Sequence, residues 1–146
     1  MAFDVSTLET SFDLVASRGD ELVDRFYARL FETAPSTRPI FARVDMETQK
    51  QSLLATLITV REALRDLGTV VPDLEELGAR HVGYGAMPEH YPVVASVLID
   101  TMAELGGAAW RPEYSAAWAE ALQTLTEVML RGAKRAAHVA PVGPST

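Results

Sequence analysis

The 146 residues are enough for one domain with a substantial core, and 48% hydrophobic against 23% charged is the balance of a globular chain. A formal net charge of −7, with no Lys/Arg run to offset it, argues against a phosphate-backbone partner and hence against nucleic acid. The absence of cysteine excludes disulfides, zinc–thiolate sites, cysteine nucleophiles and iron–sulfur ligation by cysteine, and it fits a reducing cytoplasm.

The N-terminus, MAFDVSTLETSF, has neither a basic n-region nor a continuous apolar stretch, so a signal peptide is not expected. Ser6 and Glu9 have the S-x-x-E form of a capping box, and Leu8, Phe12 and Val15 follow on one helical face. Arg18-Gly19-Asp20 breaks that helix, and Asp20 can cap the next. Val23, Phe26, Tyr27, Leu30 and Phe31 then recur at three- and four-residue steps, ending near Ala34-Pro35. The segment PSTRPIF carries two prolines, which leaves room only for a turn or a single helical turn. Asp45 caps a long helix from Met46 to about Leu67, with Gln49, Leu53, Leu57, Val60 and Leu64 aligned and Gly68 as its stop. Pro72 suits the first turn of another helix, through about His81. Pro88 and Pro92 bracket the start of the next, which runs to Leu105, and Pro112 opens the last, reaching about His138. A domain over 1–138 is therefore expected, followed by a disordered tail over 139–146.

No segment alternates with period two between hairpin turns, and no internal repeat is visible. The longest apolar runs, such as YPVVASVLI, are too short to span a bilayer, so a soluble protein with no membrane partner is expected. The pattern predicts a single all-α domain of about six main helices plus a short irregular third segment.

Two constellations could carry chemistry. Leu74, Leu77, Gly78 and His81 fall at i, i+3, i+4 and i+7, which points the imidazole along the apolar face. Gly83 and Gly85 then end the helix, leaving His81 in its last turn. Two readings are open: a half-buried histidine bonded to a backbone carbonyl, or a ligand to a metal or haem iron. There is no HExxH, no P-loop, no G-x-S-x-G, and GYGAMP follows a helix rather than a strand. A haem, which needs one protein nitrogen and brings its own chemistry, is the economical partner for one placed histidine. Tyr27 and Gln49 form the second constellation: the tyrosine hydroxyl lies on a buried-looking face and needs a partner, and Gln49 shares a face with Leu53.

Taken together, RFYARLFETAPSTRPIF, a long helix opening with a glutamine, and LGARHVGYGAMPEHYPVV resemble the bacterial single-domain haemoglobins and the globin domain of flavohaemoglobins. The resemblance runs from about Leu8 to Arg135 and is most specific at Phe26–Phe31, Arg38–Phe41 and Arg80–Pro92. It implies a globin fold around a haem b pocket, with His81 as the iron ligand and Phe41 against the porphyrin. By the same resemblance Tyr27, Gln49 and Leu53 line the distal gas site, and Arg80 matches a basic position near a haem propionate. Leu57, Leu77, Val94 and Leu98 would complete the pocket wall. Tyr91 matches a tyrosine that in flavohaemoglobins reaches the proximal histidine region and a glutamate on the last helix. Ala133 stands at the aligned position here, which argues against a strong hydrogen-bonded push on His81. The implied function is reversible binding of O2, with CO and NO as further ligands, in a monomer or homodimer. The alternatives are nitric oxide dioxygenase activity, or haem-based gas sensing. No FAD or NAD(P)H domain is expected beside the globin, so redox turnover would draw on a separate reductase.

Overall fold

The computed structural model describes residues 4–139. Six α-helices carry the fold: α1 (Val5–Ala16), α2 (Gly19–Thr33), α3 (Met46–Glu62), α4 (Val71–Tyr84), α5 (His90–Gly106) and α6 (Pro112–Val139). Short 3-10 segments lie at Pro35–Phe41, Leu67–Val70 and Gly107–Ala109, and no strand occurs among the described residues. The all-α expectation holds, including the irregular third segment. Of the expected tail, only Val139 is described, as the last residue of α6; 140–146 lie outside the described residues.

Several boundaries differ from the sequence reading, each for a local physical reason. Asp4, not Ser6, caps α1: its carboxylate accepts from the Thr7 amide at 3.2 Å, and a charged acceptor also complements the helix dipole. Asp20 lies inside the first turn of α2, because the helix already starts at Gly19. That glycine is buried against Leu54 of α3, where an added Cβ would stand 2.9 Å from a leucine methyl. Asp45 does cap α3, accepting from the Glu47 amide. The helix ends at Glu62 rather than near Leu67, and the chain bends to bury Leu64 to 4% exposure. Gly68 therefore belongs to the following 3-10 turn and stops nothing.

Helix α5 is the core element. Val97, Leu98, Thr101, Met102 and Leu105 face inward, and it packs against α2, α6 and α1. Residues 90–109 are long and apolar enough to cross a membrane by length and composition alone. A search for unbroken apolar runs overlooks this, because Asp100 and Glu104 interrupt the stretch. Here Glu104 pairs with Arg25 and Arg29 of α2, and the apolar side fills the interior. Across the molecule, the Trp118 indole donates to the Ser11 hydroxyl at 2.8 Å, and that hydroxyl in turn donates to the Thr7 carbonyl. Both polar groups are fully buried and both are satisfied, as a core requires. On the outside, Arg61 of α3 and Arg65 in the turn beyond it clasp Asp13 and Glu9 of α1.

Candidate functional site

His81 sits in the last turn of α4, and the helix closes just beyond it. Gly85 takes the left-handed conformation at φ 90°, which L side chains resist, and the Ala86 amide donates back to the His81 carbonyl at 3.1 Å. Gly83 stays helical, so only Gly85 acts as the terminator. The imidazole Nδ1 stands 2.7 Å from the Leu77 carbonyl oxygen. A carbonyl can only accept, so Nδ1 carries the proton and Nε2 keeps its lone pair. Burial disfavours the cation and pushes the His81 pKa below its ordinary value; the bond to Leu77 opposes this, and the nearby Arg80 charge adds to it. The ring is thus a neutral imidazole with a committed tautomer and one free nitrogen, the state in which histidine binds metals. Its ring neighbours are Tyr84 at 5.4 Å and Tyr91 at 6.1 Å between centroids.

The second constellation lies deeper. Tyr27 is only 4% exposed and is ringed by Phe26 at 4.9 Å, Phe41 at 5.6 Å and Phe31 at 6.1 Å. The Gln49 amide donates to the Tyr27 hydroxyl at 3.0 Å, linking the first turn of α3 to α2. Because the hydroxyl oxygen accepts from Gln49, its own hydrogen remains free to be donated elsewhere. Burial raises the Tyr27 pKa, partly offset by the Gln49 bond, so the group is a protonated donor at neutral pH. The Pro35–Phe41 segment brings Phe41 onto both Tyr27 and Phe31, and the Arg38 guanidinium lies 4.8 Å over the Phe31 ring.

Helix α5 joins the two. Tyr91, Val94 and Leu98 fall at i, i+3 and i+7, so one face runs from His81 toward the core. Leu57 and Leu98 are buried in the same cluster as Tyr27, and Phe41, Leu53 and Val94 pack against it. Leu77 contributes its carbonyl to His81 and is half-buried. Arg80 is separate: it is exposed and pairs with Glu76 one turn back. His90 starts α5, its Nδ1 accepting from the Met87 amide at 2.9 Å. The Tyr91 hydroxyl makes no hydrogen bond among the described residues, and burial alone raises its pKa.

Helices α4 and α6 run antiparallel and touch backbone to backbone. Gly78 faces the carbonyl of Met129, and Gly132 faces the carbonyl of Glu75. In that register Ala133 is level with Leu74, roughly two helical turns from His81. Sequence reasoning missed Tyr84 and Gly132. The signal for the latter was a glycine inside LRGAK, far from either end of its helix.

Residues 24–129 match the family model described as Globin. The flavohemoprotein of Bacillus subtilis is 25% identical over 128 residues, covering 86% of this chain and 32% of the relative. That of Rhodopirellula baltica is 29% identical over 119 residues, covering 80% of this chain and 29% of the relative. The chain thus spans about a third of the length of the curated relatives it matches. Among solved structures, an engineered carbene transferase from Rhodothermus marinus, described as a candidate nitric oxide dioxygenase, superposes with a TM-score of 0.80. It is 22% identical and covers 94% of both chains. A bacterial globin from Campylobacter jejuni gives a TM-score of 0.76 at 20% identity, covering 90% of this chain and 94% of its own.

Proposed function

This chain belongs to the globin family, and we propose that it binds haem b through His81 and takes up O2 reversibly. The observation that carries this reading is the His81 imidazole, with Nδ1 committed to the Leu77 carbonyl and Nε2 left as the only free ring donor. That donor set fits haem iron. One neutral nitrogen suffices for the group, and the orienting bond to a carbonyl is the usual companion of a metal-bound histidine. The apolar residues fit it as well: Phe41, Leu53 and Val94 are half-buried against the core cluster that holds Leu57 and Leu98, and offer apolar and aromatic contact area for a porphyrin.

Haem, when bound, supplies a ferrous iron that combines with O2, CO or NO. The chain's own residues then do three things. His81 Nε2 would hold the iron, while Nδ1 keeps its proton and donates it to the Leu77 carbonyl, which fixes the ring plane. Tyr27 donates its free hydroxyl hydrogen to the gas, and Gln49, by donating to that oxygen, orients the donor. Leu53 and the aromatic ring around Tyr27 exclude water, which protects the ferrous state. Arg80 is the cation available to a propionate, after exchange from its exposed pairing with Glu76.

The test is direct. Purified protein, or apoprotein given haem, is expected to be red, with an absorption band that shifts on O2 and on CO. A colourless protein that cannot take up haem ends the reading.

Dioxygenation of NO to nitrate is the second reading, favoured by similarity to proteins named flavohemoprotein. It requires O2 and one electron per NO, which a separate reductase would supply. The Tyr91 hydroxyl, without a carboxylate partner among the described residues, favours gas binding over fast turnover. Sustained NO consumption on addition of a cell extract would reverse that preference. We assign the protein to the cytoplasm, in keeping with its cysteine-free composition.

A further inference from the structure

Helix α4 carries His81 and α6 carries no residue of the proposed haem site, yet among the glycines of the described residues the closest approaches to facing backbone are between these two helices. A Cβ built on Gly78 would stand 1.9 Å from the Met129 carbonyl oxygen, and one built on Gly132 would stand 1.8 Å from that of Glu75. The arrangement is reciprocal: the pair 75 and 78 on one helix opposes 132 and 129 on the other. Each helix offers a glycine to the other's carbonyl. No side chain can be accommodated there without moving backbone, because the obstructing atoms are themselves backbone. The crossing is also clamped. The Glu75 carboxylate bridges Arg135 at 2.7 Å and Arg131 at 3.5 Å, both on α6.

His81 lies three residues beyond Gly78 on the same helix, so its Cα is carried rigidly by the crossing. We propose that Gly78 and Gly132 are positioning residues for the proximal ligand: their backbone contact sets how far the His81 ring stands from α6, and with it the tension in the bond from Nε2 to iron. An added methyl would overlap the Met129 carbonyl, so backbone must withdraw where α4 meets α6. A helix that withdraws there carries the ring of its last-turn histidine with it. Gly83 supplies the contrast. It is helical and only two residues from His81, but a Cβ there meets nothing within 4 Å.

The inference rests on His81 being the iron ligand, and the experiment separates the two. The readout is the iron–imidazole stretching band in resonance Raman spectra of the haem-loaded ferrous protein. Gly78→Ala and Gly132→Ala are each expected to shift this band, although Gly132 is on another helix; Gly83→Ala is expected to leave it unchanged. The same substitutions are then placed in a His81→Gly background, where free imidazole replaces the side chain and is not tethered to α4. There Gly132→Ala should no longer move the band. An unchanged band in folded Gly78→Ala and Gly132→Ala proteins overturns the inference, as does a shift that persists with untethered imidazole. Should the alanine variants fail to fold, Glu75→Gln and Arg135→Gln loosen the crossing without filling it. They are expected to move the band by less, and no movement in either counts against the inference. If His81→Gly itself leaves the wild-type band intact, the ligand assignment fails instead.

Discussion

Tyr27 and His81 are both polar side chains carried on helices, but they are held by opposite means. Tyr27 is enclosed by three phenylalanines and fixed by a side chain 22 residues away, so packing and one long-range hydrogen bond decide where its hydroxyl stands. His81 is half-buried at a helix end, bonded to the carbonyl of its own preceding turn, on a helix seated against another backbone. The contrast predicts different tolerances. The Tyr27 region can be retuned by exchanging side chains of similar volume, since its order resides in side chains. The His81 region resists any added volume at its crossing, since its order resides in the backbone.

The largest expected effect tests whether the two regions serve one ligand. His81→Ala should abolish stable haem binding, read as loss of the haem absorption band after reconstitution. Full retention with an unaltered spectrum would mean that another residue ligates and would dissolve the pairing of the two regions. Next in size, Tyr27→Phe removes the hydroxyl while keeping the ring and its aromatic contacts. A hydrogen bond to a charged acceptor contributes about 1.5–3 kcal/mol, so O2 release measured by flash photolysis or stopped flow should accelerate at least about tenfold. An unchanged rate would remove Tyr27 from the gas site. Gln49→Leu should do less, about fivefold. It removes a neutral hydrogen bond of about 1 kcal/mol and leaves the tyrosine present but less well aimed. A Gln49 effect larger than that of Tyr27 would mean the amide, not the hydroxyl, meets the gas.

How much of this was legible in the sequence follows the same division. Helical periodicity and proline placement marked all six helices, and Asp45 announced the start of α3. The spacing of Leu74, Leu77 and His81 already contained the proximal bond, because an i to i−4 contact is local. The end of α3 was hidden: Leu64 continues the helical spacing, but its burial is achieved by a bend rather than by another turn. Tyr27 declared that it needed a partner without naming one. Nothing near Gln49 encodes a contact 22 residues back: the sequence grouped the two residues and the resemblance set both at one gas site, but neither paired the amide with the hydroxyl. Gly132 was the least legible of all. A glycine inside a helix reads as a weak point until the facing carbonyl is known, and that carbonyl belongs to a helix more than fifty residues away.

The smallest expected effect concerns pH, and here the two regions should fail at opposite ends of the scale. Burial keeps both groups neutral in the fold, His81 by lowering its pKa and Tyr27 by raising its own. For the haem-free protein, the unfolded chain protonates its histidine near the ordinary 6.5, before the folded protein does. The stability contributed by His81 is therefore complete above that value and is lost as pH falls through the lower folded pKa. For Tyr27 the order reverses. The unfolded phenol ionises near 10.0 while the folded one still holds its proton, so its contribution is complete below 10.0 and is lost as pH rises through the higher folded pKa. Urea midpoints of wild type, His81→Gln and Tyr27→Phe proteins, followed across pH, separate the two. The difference between wild type and His81→Gln should change only on the acid flank, because every other titratable group is common to both proteins and cancels. That between wild type and Tyr27→Phe should change only on the alkaline flank. A difference for His81 that stays flat below about pH 6.5 would mean that the imidazole is not held neutral by its surroundings, and the committed tautomer that makes Nε2 a ligand would lose its support.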